Sequence, residues 1–503
     1  MKILVLGGGT AGWLTALWCR SFYPSDDITL LESSEVGTVG VGEGTTPWFL
    51  DFLKELDISP LDVLQKTNGS IKQGISFENW NGDSGKFFHG FQEQSALTPC
   101  EECFYDYIRT VVKNNLDMNE YNYSAKLSYQ NKVDINNLQM SLHFDAGKLL
   151  DYLKYIGSQR NIVCIDGKFS HPQVNEQDYI TKLCLEDGSE LPCDFVFDCS
   201  GFARLLIGKY YKVNWISYQD FLPMKKAIAF PLDPEDDIKP YTRAIAMKYG
   251  WMWNIPLQDR IGAGYVFDSD FLTDDEALDE VEQLLEKPIS NVRSIPFNAG
   301  RYEKYWVKNC IAVGLASSFI EPLEATSLSH ITRQLRFLEH TDLKCYPHTP
   351  SQNVEIYNQA ITADMDSIAR FLYLHYITKR QDTEFWKTLR QRHVAPLELD
   401  KIVKFFQGDM DSFLTSNDVQ HALGIIDLPK AELYTAQVKA YCQCKPLFGM
   451  LGYFLVSSGL GILSPIFRQS LYTSGDSCES QKQLIDDYVS MADTHQNFLK
   501  MCV

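Results

Sequence analysis

The first dozen residues constrain the fold more than any other stretch of this chain. A short apolar run, Ile3 to Leu6, leads into Gly7-x-Gly9-x-x-Gly12, and a helical pattern follows from Trp13 to Tyr23. A second apolar run, Ile28 to Leu31, ends in Glu32. Strand, tight turn, helix, strand and acid stand at the spacing of a dinucleotide-binding βαβ unit. Gly7 permits the turn, Gly9 lets backbone approach a pyrophosphate, and Gly12 lets helix and strand pack closely. Thr10 and Ala11 complete the phosphate turn, where the helix start presents N–H groups and a partial positive charge. Glu32 is placed to accept hydrogen bonds from a ribose diol. The unit alone does not separate FAD from NAD.

At 503 residues the chain can bury a large core and hold more than one subdomain. Its formal charge of -19 argues against a nucleic-acid partner, because a polyanion would be repelled. The sequence begins on a strand with no signal-peptide pattern, so a cytoplasmic location is expected. Pro446 to Phe467 carries no charge, but its glycines, its serines and Pro465 interrupt it. A buried helix followed by a loop is expected there, not a membrane span. The thirteen cysteines are scattered and read as reduced thiols. Cys100-x-x-Cys103 and Cys442-x-Cys444 are poorly spaced for zinc, and no metal is expected.

Further along, Val39-Gly-Val-Gly-Glu-Gly-Thr-Thr-Pro47 makes a loop whose Gly40, Val41, Gly42 and Glu43 can lie against a flat ligand. Asn68 to Trp80 ends in strand-like alternation. His89, in an aromatic loop-rich segment, is assigned no role. His143 to Leu153 reads as a helix capped by Asp145. Phe195 to Phe202 reads as an apolar strand running into a polar turn. Its Asp198 either approaches the ribityl chain of a flavin or caps the turn. Asp220 to Phe271 reads as mostly β, with Trp251 and Trp253 on one face of a strand. A further strand, Cys310 to Leu315, brings Gly314 toward the cofactor and leads to a small-residue turn and a helix from about Leu328. After about residue 335 the pattern is helical, including Asn353 to Tyr376, Thr383 to Arg392 and Gln481 to Met501.

These motifs together resemble the FAD-dependent halogenases of the tryptophan-halogenase type. The most specific piece is Trp251-Met-Trp-Asn-Ile-Pro256, similar to that family's WxWxIP signature. The GxGxxG, the VGVGEGTTP loop and Lys72-x-x-Ile75 leading to Asn79-Trp80 agree. So do Glu321-Pro-Leu-Glu-Ala-Thr326 and His375-Tyr376 with Arg380-x-Asp382 and Phe385-Trp386. The resemblance runs from Met1 to about Trp386 and is weaker beyond.

The resemblance implies a Rossmann-like α/β FAD module of the glutathione-reductase/PHBH type. It would span residues 1–335, with the βαβ unit at 1–45 and an inserted β-rich region at about 205–300. A mostly helical substrate-capping subdomain, 336–503, would follow. Reduced FAD from a separate flavin reductase, O2 and halide would make hypohalous acid, which passes to Lys72. Glu324 would be the second catalytic residue, polarising the oxidant or taking a proton from the substrate. The backbone of Thr326 and Ser327 would bind the halide. Trp251, Trp253, Ile255 and Pro256 would line the tunnel and shield the flavin from substrate. The expected substrate is an electron-rich, indole- or phenol-like small molecule.

Ala325 stands where serine is typical and Ser327 where many relatives have glycine, which leaves the preferred halide (chloride, bromide or iodide) open. Substrate identity and oligomeric state are open too. Two other functions fit parts of the chain. An FAD-dependent aromatic monooxygenase would share the nucleotide unit but would not need the WxWxIP stretch or the Lys72 and Glu324 pair. A non-catalytic flavin-binding protein would not need Lys72.

Overall fold

A computed structural model describes residues 1–35, 42–91, 110–136, 139–339, 343, 351–391, 399–406, 447–463 and 478–502. Gly40, Val41 and the two cysteine pairs considered for zinc lie outside them. The chain opens with β1 (Lys2–Leu6), α1 (Thr10–Phe22) and β2 (Asp27–Glu32). β3 (Gly42–Gly44), β4 (Ser70–Lys72), β5 (Gly74–Glu78) and β6 (Lys86–Gly90) follow. Next come β7 (Ser141–Asp145), α2 (Ala146–Gln159), β8 (Val163–Asp166) and β9 (Phe195–Asp198). The β-rich part holds β10 (Lys226–Leu232), β11 (Thr242–Ala246), β12 (Gly250–Pro256), β13 (Ile261–Phe267) and β14 (Arg293–Pro296). β15 (Trp306–Val307) and β16 (Cys310–Ala312) precede α3 (Thr326–Leu338), α4 (Ser351–Leu374), α5 (Glu384–Gln391) and α6 (Met450–Gly459).

Six strands form the nucleotide sheet in the order β15-β16-β9-β1-β2-β8, all parallel except the β15–β16 hairpin. Its central strand carries four consecutive buried apolar residues, Ile3 to Leu6, as a strand covered on both faces requires. Leu6 stands level with Asp198 on one side and Leu31 on the other, so the strand ends gather where a ligand would lie.

The second sheet has seven strands, β14-β10-β13-β12-β11-β5-β6, with β5 drawn in parallel beside β11. β12 is fully buried on both faces. Trp251, Trp253 and Ile255 enter one apolar cluster and Met252 enters another, the alternation expected of a strand. The cluster holding the tryptophans also contains Phe371, Trp386 and Tyr453, so helices after residue 336 share a core with this sheet. The strands β3, β7 and β4 form a separate three-stranded sheet.

Three local expectations change. His143 to Asp145 belong to β7, and the helix starts only at Ala146; Asp145 caps it by accepting from the Lys148 N–H. The pairing of β7 with β3 and β4 holds those three residues extended. The helix after β16 begins at Thr326, not at about Leu328. The stretch from Gln481 to Met501 is two helices, Cys478–Met491 and His495–Cys502. Between them Asp493 and Thr494 pair with Val133 and Lys132, a long-range contact that no local pattern encodes. Among the described residues no helix is long and apolar enough to cross a membrane.

The Trp253 indole packs against Gly264 of β13. A Cβ at Gly264 would stand 2.2 Å from the indole and 2.6 Å from the Ile228 carbonyl oxygen. The backbone contact cannot yield, so Gly264→Ala is expected to destabilise the fold by about 1–3 kcal/mol, read from urea denaturation.

Candidate functional site

The nucleotide end is built from backbone. Gly7 has φ +122°, and a Cβ there would meet the Cys199 carbonyl oxygen at 2.2 Å. A Cβ on Gly12 would stand 1.8 Å from the Gly7 oxygen, while one on Gly9 would meet nothing within 4 Å. The turn is therefore closed on its protein side and open on the side where a pyrophosphate would approach. No side chain caps the start of α1, which leaves its first N–H groups for that purpose. These features fit a dinucleotide. Gly314, at φ +67°, packs against Ala11 of the same turn. Glu32 receives the Lys154 ammonium at 2.8 Å.

Asp198 is fully buried and spends its carboxylate on its own chain. It accepts from the Ser200 N–H and hydroxyl and from the Leu206 and Ile207 N–H groups. That is the capping arrangement, one of the two readings of this residue. Gly42 fits against Gly262 and Ile255, so the Gly-rich loop joins the end of the WxWxIP strand. Beside it, burial pushes the Glu43 carboxyl up to about 7.

Lys72, at the end of β4, is completely buried. Its Nζ has no hydrogen-bond partner among the described residues and lies 5.4 Å from the centre of the Phe91 ring. Burial lowers its pKa to about 8, against the opposing pull of Glu324. Two nearby histidines stay neutral. His143 donates to the Ser70 hydroxyl, itself donated to the Pro256 carbonyl, and accepts from Thr242. Burial, then Lys72 and His495, hold it well below its ordinary value. His495 accepts from the Ile71 N–H and donates to the Ile238 carbonyl, and burial lowers it to about 4. Hydroxyl and amide partners thus satisfy both rings without adding cations beside Lys72.

Glu324 is 1% exposed. Its Oε1 lies 2.9 Å from His89 Nδ1 and 2.9 Å from His375 Nε2. Burial alone would raise this carboxyl, but the two imidazoles outweigh it and hold the pKa at about 2. Three residues earlier, Glu321 is also buried. It accepts the Tyr376 hydroxyl at 2.8 and 2.9 Å and the Trp251 indole N–H at 3.2 Å. Here burial wins over the donors and the pKa rises to about 7. The adjacent residues His375 and Tyr376, just past α4, therefore each grip one glutamate of the same turn.

Ala325 adopts the left-handed conformation, φ +55°, at the start of α3. An alanine there costs about 1 kcal/mol. The kink leaves the first N–H groups of α3, at Thr326 and Ser327, without a side-chain cap. The Thr326 hydroxyl is buried without a partner among the described residues.

The structure thus brings Lys72, Glu324 and, through Glu321, Trp251 to one place. The sequence reading missed His89, which it left without a role, and the parts played by His375, Tyr376 and Glu321. The available signal was His375-Tyr376 at a helix end together with two glutamates three residues apart. Among the described residues no group of His, Cys, Asp or Glu is arranged to hold a metal ion.

A family model described as tryptophan halogenase matches residues 2–462. The chain is 30% identical over 443 residues to tryptophan 6-halogenase SttH of Streptomyces toxytricini, covering 80% of this chain and 83% of that protein. It is 29% identical over 502 residues to tryptophan 7-halogenase RebH of Lentzea aerocolonigenes, covering 92% and 90%. Xcc4156, a flavin-dependent halogenase from Xanthomonas campestris, superposes with TM-score 0.85 at 25% identity, covering 99% of this chain and 98% of that one.

The raised carboxyls carry a stability signature. A carboxyl whose folded pKa is about 7 binds its proton more tightly folded than unfolded, so stability falls as pH rises from about 4.5 to about 7. Glu321→Gln is expected to flatten the part of that decline due to Glu321, on the order of 3 kcal/mol, in urea titrations across that pH range. A slope unchanged by the substitution would refute the assignment.

Proposed function

The chain belongs to the tryptophan halogenase family of flavin-dependent enzymes, and we propose that Lys72 and Glu324 direct hypohalous acid onto an electron-rich aromatic substrate. The observation that carries this reading is the Lys72 ammonium, buried, without a hydrogen-bond partner among the described residues, and under the electrostatic pull of the Glu324 carboxylate. An ordinary structural lysine at such a position would be paired. One left open at its tip is poised for a ligand.

The FAD would be held by the turn Gly7 to Gly12, with Gly314 behind it and Gly42 and Glu43 toward the second sheet. Bound reduced FAD, delivered by a separate reductase, supplies with O2 and halide the oxidised halogen. Halide rests on the uncapped N–H groups of Thr326 and Ser327, where the helix start favours an anion. Trp251 and Trp253, fixed within β12, wall the route between flavin and lysine, so the substrate meets the oxidant only at Lys72. Lys72 donates a hydrogen bond to hypohalous acid, or carries the halogen on nitrogen. Either role uses an amine whose pKa of about 8 leaves both protonation states accessible near neutral pH. Glu324 polarises the oxidant and takes the proton from the halogenated ring.

The test supplies a flavin reductase, FAD, NADH, O2 and each halide in turn to the protein with a panel of indoles, phenols and anilines. Mass spectrometry is expected to find a halide-dependent mass gain that falls at least about 100-fold in Lys72→Ala, while flavin reoxidation persists. A gain of one oxygen without halide would replace this reading with that of a hydroxylase.

A further inference from the structure

We propose that His375 and Glu324 together hold one proton, which the pair gives to the departing oxygen and recovers from the substrate. The proposal rests on the functional reading above and extends it to a positioning residue, His375, that acts through Glu324.

The hydrogen-bond pattern forces the extra proton. His375 Nδ1 lies 3.1 Å from the Phe371 carbonyl oxygen, which can only accept, so Nδ1 carries a hydrogen. That carbonyl belongs to the last turn of α4, where a positive imidazole is also favoured by the helix dipole. Nε2 lies 2.9 Å from Glu324 Oε1. An ionised carboxylate can only accept, which makes His375 an imidazolium. A neutral His375 instead requires a protonated Glu324 that donates. In both cases one proton sits on the Oε1–Nε2 line. His89 fits either state, because its Nδ1–H can donate to the same oxygen.

The surroundings keep that proton in place. His375 is completely buried, with Phe77, Phe371 and Trp80 around its ring at centroid distances of 4.8, 5.2 and 6.2 Å. Among the described residues the titratable groups that act on the pair are Lys72 from β4, through its charge, and His89 from β6, through its hydrogen bond, while neighbouring Tyr376 turns its hydroxyl to Glu321. Of these, Lys72 is the other group that can bear positive charge without a carbonyl or carboxylate already fixing its proton. Glu324 thus draws on Lys72 through charge and on the imidazole through a hydrogen bond.

The step balances. The ring carbon attacks the halogen of hypohalous acid, a C–X bond forms, and the O–X bond breaks with its electron pair going to oxygen. That oxygen takes the proton of the pair and leaves as water. The halogenated ring then gives its C–H proton to Glu324, the C–H electrons restore aromaticity, and the pair is reset. No proton need enter from or leave to solvent during transfer, which suits a site sealed this tightly.

The experiment compares wild type with His375→Gln, which keeps a side-chain donor toward Glu324 but cannot carry the proton. The halogenation kcat of the variant is expected to fall about 100-fold, with unchanged KM for substrate and unchanged flavin reoxidation. A loss confined to kcat is the signature, because a merely structural role of His375 would raise KM as well. A variant with wild-type kcat, or with a loss accompanied by a raised KM, overturns the proposal. Absence of halide-dependent product from the wild type overturns the functional reading itself. If the variant does not retain FAD, 15N NMR of the histidine-labelled wild type decides. His375 is expected to show two protonated ring nitrogens, or an Nε2 accepting from a protonated Glu324. An unprotonated Nε2 beside an ionised carboxylate overturns it.

Discussion

A carboxylate sealed from water is tolerated only when donors replace its hydration, and at Glu324 those donors come from distant parts of the chain. His89 is the penultimate residue of β6, and His375 follows the end of α4. Removing both would strand a buried charge, at a cost of several kcal/mol. The turn that carries Glu324 is therefore in place only when the seven-stranded sheet and the C-terminal helices have docked on each other. Their shared apolar cluster supplies the docking energy, while the two imidazoles fix the register of the contact. Glu321 repeats the device one turn earlier, tying Trp251 of β12 to Tyr376. Trp251 and the Glu324 carboxylate are thus held by the same two short segments, Glu321 to Glu324 and His375 to Tyr376.

Lys72 belongs to the same construction. A buried ammonium next to a buried carboxylate would ordinarily form a closed ion pair, and a closed pair is inert. Here the carboxylate spends its described hydrogen bonds on imidazoles, and the ammonium is left with an electrostatic partner but no hydrogen bond among the described residues. Neutral His143 and His495 fill the space around β4 without competing for the same charge. On the proposed function, donors fixed in this way before a ligand arrives are what makes electrostatic stabilisation effective in a dry site.

How much of this was legible in sequence depends on the range of each interaction. The βαβ unit reads directly, because glycine turn, strand and helix are fixed by neighbours within thirty residues. Asp145 reads as a cap for the same reason. Asp198 allowed two readings because capping and cofactor contact both want an acid at a strand end, and the four donors from residues 200–207 favour the cap. Lys72 and Glu324 were singled out only through resemblance to a family, since a lone lysine or glutamate has no local signature of burial. His89 could not be read at all. Its partner lies 235 residues away, and nothing in Phe87-Phe-His-Gly90 distinguishes a ligand of Glu324 from a core histidine. The break near Asp493 was hidden likewise, by a pairing with Lys132 and Val133.

Glu321 and Glu324 make the last point about what a sequence motif encodes. They are the same residue type, three positions apart in one turn and equally buried, yet one is driven to about 7 and the other to about 2. The difference lies in the partners: a phenol and an indole, which stay neutral, against two imidazoles, which can carry charge. The left-handed Ala325 ends the turn just past Glu324 and starts α3 at Thr326. That single residue thus separates the turn bearing Glu324 from the uncapped start of α3. A motif of two glutamates therefore specifies an acid and a base only in combination with the residues that the fold brings to each, and here those are the neighbours His375 and Tyr376.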